Sequence, residues 1–447
     1  MGLFDRLRGD GDPRVAFIGI DGVPYSLLSD HPERFPTFAA LEEEGTAGEI
    51  SSIVPPESSA CWPALTTGVN PGETGVYGFQ DREIGTYETY VPMGREVQAT
   101  RLWNRVTQAN RRASVFNVPV TFPPQRDVQR MVSGFLSPDL EKAAFPEDLR
   151  AYLESIDYRI DVNPKLGHES DKTAFIEDAH ETLDARFAAF EHYLGEDDWD
   201  LFFGVFMTTD RVNHFLFEDY EREGEYREAF FEFYEKLDDY VGQIRHSLPD
   251  DVTLVVASDH GFTTLDYEVH CNEWLREEGW LSFETDDPQE LDDIGEDTRA
   301  YSFIPGRFYL NLEGREPRGS VPEDDYDEVR DELKAALDAL EGPDGRPVVD
   351  RVVEKEEAFR GDHDDIAPDL IAIPTKGFDL KSGFKANTEV FTDGPRNGMH
   401  SFDDTSLFID HPDATIENAD LYDIAPTILE LMDVDYSRSD FDGASLV

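Results

Sequence analysis

The chain has 447 residues, of which 97 are acidic and 39 basic, for a formal net charge of −58. Hydrophobic residues make up 39% and aromatic ones 12%, too rich for a disordered acidic polymer, so the chain can bury a sizeable core. The charge excludes nucleic-acid polymers and anionic membrane surfaces as partners at ordinary ionic strength, and acidic runs such as GEDDWD and SVPEDDYDE read as a solvated surface adapted to molar salt, hence a halophilic source.

Residues 1–13 lack the long apolar core of a signal peptide, and Arg6 stands where a myristoylation signal needs Ser or Thr, so they read as a tail or short surface helix. Only Cys61 and Cys271 occur, which implies no disulfide framework and a reducing compartment. No apolar run reaches the roughly 18 residues of a membrane span. The expectation is a cytoplasmic protein.

The first apolar run, VAFIGI at 15–20, ends in GIDGV, which sets the lone carboxylate Asp21 between glycines at the end of a buried strand. Such a carboxylate is costly unless a cation or a donor satisfies it. PPESSACWPALTTG at 55–68 follows, with two prolines forcing an extended approach to a helix that has Ser58 or Ser59 at its N-terminus, where an alkoxide is stabilised. ASVFNV at 113–118 reads as a second buried strand. The stretch 121–197 is longer than an ordinary connection and contains helical periodicity at 171–194.

LFFGVFMTT at 201–209 reads as a strand running into DRVNH, which supplies Asp210 and His214. The helix predicted at 225–248 carries a Phe and Tyr stripe that reads as core. VTLVVASD at 252–259 is a strand ending in SDHGF, which supplies Asp259 and His260. A second long stretch, 264–365, includes a helix at 326–342 and reads, like 121–197, as an insertion or cap over the carboxyl edge of a sheet. DLIAIP at 369–374 and SLFID at 406–410 read as further strands, with His400 in NGMHSFDD before the latter, and LYDIAPTILELMDV as the last helix.

Apolar runs that are continuous rather than alternating mark strands covered on both faces, and helices between them imply parallel crossovers. The expected architecture is therefore α/β with a mostly parallel sheet, forming one domain over 14–447. Open sheets of this kind place ligands at the carboxyl ends of their strands. Three carboxylates (Asp21, Asp210, Asp259) and three imidazoles (His214, His260, His400) near those ends form an oxygen and nitrogen set suited to Zn, Mn or similar divalent ions.

With these residues in view, the chain resembles the alkaline phosphatase superfamily in its type I phosphodiesterase and nucleotide pyrophosphatase branch. The resemblance rests on VAFIGIDGV, PPESSACWPALTTGVNPGETGVYGF, NVPVTFPP, TTDRVNHFLF, ASDHGF, APDLIAI, GMHSFDDTSLFI and LYDIAPTILELM, in that order. It implies a three-layer α/β/α fold with cap insertions. It also implies two metal ions, one held by Asp21, Asp259, His260 and the nucleophile, the other by Asp210, His214 and His400. The nucleophile position, often Thr in this branch, is Ser58, with Ser59 the neighbouring candidate. PGETG stands where relatives often show PGxHG, so Thr74 replaces a histidine.

The implied activity is hydrolysis of a small phosphorylated substrate through a phosphoserine, with phosphodiesters preferred because no arginine stands near Ser58 in sequence. A sulfatase would want Pro and Arg where Ala60 and Trp62 stand. A phosphomutase of the cofactor-independent phosphoglycerate mutase kind needs a basic pocket that the sequence does not locate. A non-catalytic metal-binding scaffold is the third alternative.

Overall fold

The protein is described here from a computed structural model, which covers residues 12–196, 198–385 and 389–447. Most of the expected N-terminal tail lies outside the described residues.

The main sheet has eight strands in the order Thr46–Ile50, Thr405–Ile409, Val252–Ala257, Arg14–Ile20, Leu201–Phe206, Ala113–Val118, Arg130–Ser133 and Ala144–Phe145. The run from Val252–Ala257 to Arg130–Ser133 is parallel throughout. Along Arg14–Ile20 every residue is buried and successive side chains enter different cores. Ala16, Ile18 and Ile20 join Phe190, Phe206 and Tyr234 on one face, whereas Val15 and Phe17 join Trp62, Trp103 and Leu407 on the other. Two covered faces explain why the strand shows no polar alternation. The fold is alkaline-phosphatase-like α/β, as expected.

Helices form where the periodicity placed them, at Thr173–Gly195, Arg227–Ser247, Tyr326–Asp338 and Ile424–Leu431. The aromatic stripe of the second is core, with Phe230, Phe231, Phe233 and Tyr234 all buried. Residues 121–197 contribute the last two strands of the main sheet as well as helices.

Three details differ from the sequence reading. The strand expected at 201–209 stops at Phe206, because Thr208 already opens the helix Thr208–Glu221. The apolar run at 369–374 is not in the main sheet; Leu370–Pro374 lies in a separate four-stranded antiparallel sheet with Ala300–Phe303, Arg307–Leu310 and Val349–Glu354. Its apolarity serves a second core around Tyr301, Phe308 and Leu333, and apolarity alone does not say which core a strand enters. Finally, Thr405–Ile409 runs antiparallel to both of its neighbours, so its N-terminal end, and not its C-terminal end, lies at the carboxyl edge of the parallel strands.

Candidate active site

Asp21 follows the Arg14–Ile20 strand directly and is fully buried. Its flanking glycines have separate duties. A Cβ on Gly19 would come within 2.5 Å of the Trp62 ring, and Gly22 adopts φ +67°, which side chains of L residues rarely do. The indole thereby packs against the strand, and Trp62 Nε1 donates to Asp21 Oδ2 at 2.7 Å.

Ser58 is the first residue of the helix Ser58–Thr67, which ends at Gly68 with φ 72°. Its hydroxyl lies 3.3 Å from Asp21 Oδ1 and 3.1 Å from His260 Nε2. Ser59 Oγ is buried without a hydrogen-bond partner. Thr74 is also buried, and its hydroxyl accepts from Val76 N at 3.3 Å, a turn role within the described residues.

Asp210 and His214 stand one turn apart on the Thr208–Glu221 helix. His400, in the short strand Gly398–Ser401, reaches the same place because the following strand is reversed. His400 Nε2 is 3.2 Å from both Asp210 Oδ1 and His214 Nε2, and His214 Nε2 is 3.4 Å from the same carboxylate oxygen. Arg211 is engaged elsewhere, with Nη2 at 2.9 Å from Asp161 and Nη1 at 3.2 Å from Asp210 Oδ2.

Asp259 and His260 complete the other group. His260 Nε2 is 3.7 Å from Asp21 Oδ1 and 3.5 Å from Asp259 Oδ2, and all three residues are fully buried. Asp259 Oδ1 accepts from Gly22 N at 3.1 Å, whereas Oδ2 has no partner. His260 is near both groups: Asp210, His260 and His400 also bring ligand atoms within 4.8 Å of one another, as do Asp21, Asp259 and His260.

The protonation pattern points to missing positive charge. His214 Nδ1, His260 Nδ1 and His400 Nδ1 each face a backbone carbonyl at 3.0 Å, from Gly398, Gly261 and Pro56. A carbonyl can only accept, so each Nδ1 carries the proton and each Nε2 turns a lone pair toward carboxylates. Burial pushes His214 and His260 down, which keeps them neutral. Burial, reinforced by Asp259 and Asp210, holds Asp21 well above the usual carboxylate range, and burial pushes Asp259 up to about 7. Burial acts on Asp210 too, but proton uptake by His214 and His400 beside it, together with the Arg211 guanidinium, outweighs burial and holds that carboxyl well below the usual range. Lone pairs and carboxylates converging at these distances repel one another unless a cation sits among them, so the residues fit divalent metal ions.

A cavity of about 280 Å³ opens beside Ser58, Asp210, His214 and His400. Its opposite wall comes from the second sheet and its surroundings, through Ile304, Ala372 and Leu380. Arg211, Lys381 and Arg396 also line it, so the fold assembles basic groups there that the sequence did not locate. Arg211 and Arg396 thereby share a cavity with Ser58, which has no arginine nearby in sequence.

A sequence model described as type I phosphodiesterase / nucleotide pyrophosphatase matches residues 15–403. The chain belongs to this family. No curated protein matches it in a sequence search. Among solved structures, murine ectonucleotide pyrophosphatase / phosphodiesterase 5 in complex with AMP is similar at TM-score 0.57 and 15% identity, covering 97% of each chain. Phosphonoacetate hydrolase from Sinorhizobium meliloti 1021 in complex with phosphonoformate gives 0.60 and 17%, covering 95% of this chain and 96% of that one. The wild-type alkaline phosphatase PafA gives 0.60 and 13%, covering 98% and 99%. These likenesses show the shared fold.

In this type I phosphodiesterase / nucleotide pyrophosphatase family member, the seven residues singled out from sequence converge on one edge of the sheet. Sequence reasoning did not find the groups that hold them. Trp62 was noticed only for not being arginine. Asn213 Nδ2 donates to Gly22 O at 2.7 Å, tying the Asp210 helix to the Asp21 turn, and Asn213 Oδ1 accepts from the Tyr234 hydroxyl at 2.8 Å. Thr209 Oγ1 donates to Asp21 O at 2.6 Å. The only sequence signal for these two was their place beside Asp210. Among the described residues, no helix is long and apolar enough to cross a membrane.

Proposed function

We propose that the protein is a two-metal phosphoric ester hydrolase, a phosphodiesterase or nucleotide pyrophosphatase, acting on a small phosphorylated substrate through a phosphoserine at Ser58. The observation that carries this reading is the position of Ser58 Oγ, 3.3 Å from Asp21 and 3.1 Å from His260, at a helix N-terminus facing the cavity. Asp21, Asp259 and His260 would hold one ion beside Ser58, and Asp210, His214 and His400 the other, with Zn or Mn suited to this donor set. When bound, the ions supply Lewis-acid activation of the serine hydroxyl and neutralise charge on the phosphoryl oxygens.

Ser58 Oγ gives its proton to solvent and forms a bond to phosphorus as the ester or anhydride oxygen departs, which leaves the remaining phosphoryl ester on Ser58. Water then cleaves the Ser58 O–P bond and restores the hydroxyl. Trp62 fixes the Asp21 carboxylate, and the Nδ1 hydrogen bonds fix the three imidazoles, so the site is held in place before substrate arrives. Arg211 already serves Asp161 and Asp210 and Lys381 pairs with Asp379, which leaves Arg396 as the lining cation for a substrate's charge and favours the single negative charge of a diester.

The test is a hydrolysis panel of bis-p-nitrophenyl phosphate, p-nitrophenyl phosphate and a nucleotide pyrophosphate in high salt with Mn or Zn. The expected result is turnover of the diester or pyrophosphate above the monoester, with the p-nitrophenyl phosphoryl or nucleotidyl group trapped on Ser58 by acid quench. Inactivity on all three, or preference for the monoester, would overturn the reading.

Lys381 and Arg396 in the cavity support a second reading, a phosphomutase that retains its product. Return of an isomerised phosphoester in place of a free alcohol would select it. Cytoplasmic residence is supported by the unpaired, buried thiols of Cys61 and Cys271, and a halophilic source by the net charge of −58.

A further inference from the structure

Five arginines are buried among the described residues: Arg14, Arg82, Arg101, Arg186 and Arg307. A guanidinium is always charged, and burying it without compensation is expensive. Three of them pair with carboxylates: Arg14 with Asp251 at 2.9 Å, Arg82 with Glu316 at 2.8 Å and Arg307 with Asp81 at 2.6 Å. Arg186 instead donates to three carbonyls, those of Val205, Arg159 and Ile160, at 3.2, 2.7 and 2.7 Å.

Arg101 has neither solution. It is 2% exposed, and its hydrogen bonds are one to the Thr66 hydroxyl at 3.1 Å and one to the Val120 carbonyl at 2.5 Å. No carboxylate pairs with it among the described residues, although the chain has 97 acidic groups to offer. Burial alone pushes it down to about 9. Trp103 lies 5.2 Å from its guanidinium carbon and covers part of the group. Arg101 and Trp103 both line a cavity of about 260 Å³, outside the active site, whose other walls include Thr121, Pro124, Gln125 and Met131.

We infer that this cavity is a binding site for a small anion, with Arg101 as the charged contact. The site uses what the acidic surface cannot provide. Arg95 also lines the cavity but is paired with Glu96 at 2.6 Å, so the desolvated Arg101, with donors to spare, is the lining cation that attracts an anion strongly. The walls are partly apolar, so the anion's source is either an inorganic ion or the head of a small organic acid whose body lies against Pro124 and Met131.

The test uses the full-length, metal-loaded protein. Crystals soaked in bromide should show anomalous density against Arg101, absent in R101Q and in P124W, which fills the cavity from its rim without touching the guanidinium. Calorimetric titrations with sulfate and with benzoate at fixed chloride should show at least tenfold weaker binding in both variants at this site. Anion binding at the active-site metals persists in the variants and so does not imitate the effect. Tighter sulfate identifies an inorganic anion, and tighter benzoate an organic one. If R101Q does not fold, P124W decides. Absence of bromide at Arg101, or titrations unchanged in P124W, would overturn the inference.

Discussion

Trp62 donates its indole N–H to Asp21 Oδ2 at 2.7 Å, so a residue one turn into the Ser58 helix fixes the carboxylate that Ser58 itself approaches at 3.3 Å. The two sides of the site are thus set by one helix. Trp62→Phe leaves that buried oxygen without its donor, and about 1–3 kcal/mol of stability should be lost in the metal-free protein. Chemical denaturation measures it, and a neutral result would mean that water or a neighbour replaces the indole.

Ser58→Ala should lower kcat/KM for a diester at least 100-fold, since removing the attacking oxygen leaves only binding and electrostatics. Ser59→Ala should change it little, because its hydroxyl has no hydrogen-bond partner to lose. The reverse pattern in steady-state kinetics would move the nucleophile to Ser59.

Metal analysis after reconstitution should return two divalent ions per chain. His214→Ala and His400→Ala should weaken the same ion, and His260→Ala the other. Since His260 also lies within ligand reach of Asp210 and His400, a crystal structure with His260 and His400 on one ion is the outcome that would refute this division.

The metal-free protein should lose stability as pH rises. Asp259 titrates near 7 when folded and near 4 when unfolded, so between those values the folded state holds the extra proton and each step upward costs stability. Above about 7 this contribution is flat. Divalent ions need the deprotonated carboxylate and should restore more stability at pH 8 than at pH 6. Asp259→Asn should weaken the metal-free trend and leave the part owed to Asp21, whose carboxyl burial also raises; thermal melts at fixed ionic strength will read it.

Stability should also rise with KCl into the molar range, because the formal charge of −58 repels itself when screening is weak. Unfolding midpoints that stay level from low to multimolar salt would remove the halophilic reading.

The five inner strands of the main sheet were legible because they are covered on both faces and therefore announce themselves as apolar runs, as at 15–20 and 252–257, whereas Thr46–Ile50, Arg130–Ser133 and Ala144–Phe145 toward the sheet's edges were not. The same signal misassigned 369–374, whose apolar side chains serve the second core. Asp21, Asp210 and Asp259 stood out because a carboxylate after a buried strand needs a reason. Trp62, Thr209 and Asn213 did not, since a tryptophan in an apolar helix or an amide beside a histidine has ordinary uses. Their roles depend on which strand ends lie side by side. The cations Lys381 and Arg396 were illegible for the same reason: they reach the cavity from distant parts of the chain.

The reversed strand Thr405–Ile409 gives the site a place in the order of folding. His400 is held opposite Asp210 and His214 by the pairing of its short strand with Gly261–Thr264, and Thr405–Ile409 continues that segment between Val252–Ala257 and Thr46–Ile50. A nascent chain that has emerged only as far as residue 390 carries Asp21, Ser58, Asp210, His214, Asp259 and His260, yet cannot close the second ligand set. On the two-ion reading, the second ligand set is complete only once the segment that carries His400 is in place. The binding energy of the second ion would then appear as stability of the contacts that tie His400 back to the Thr208–Glu221 helix.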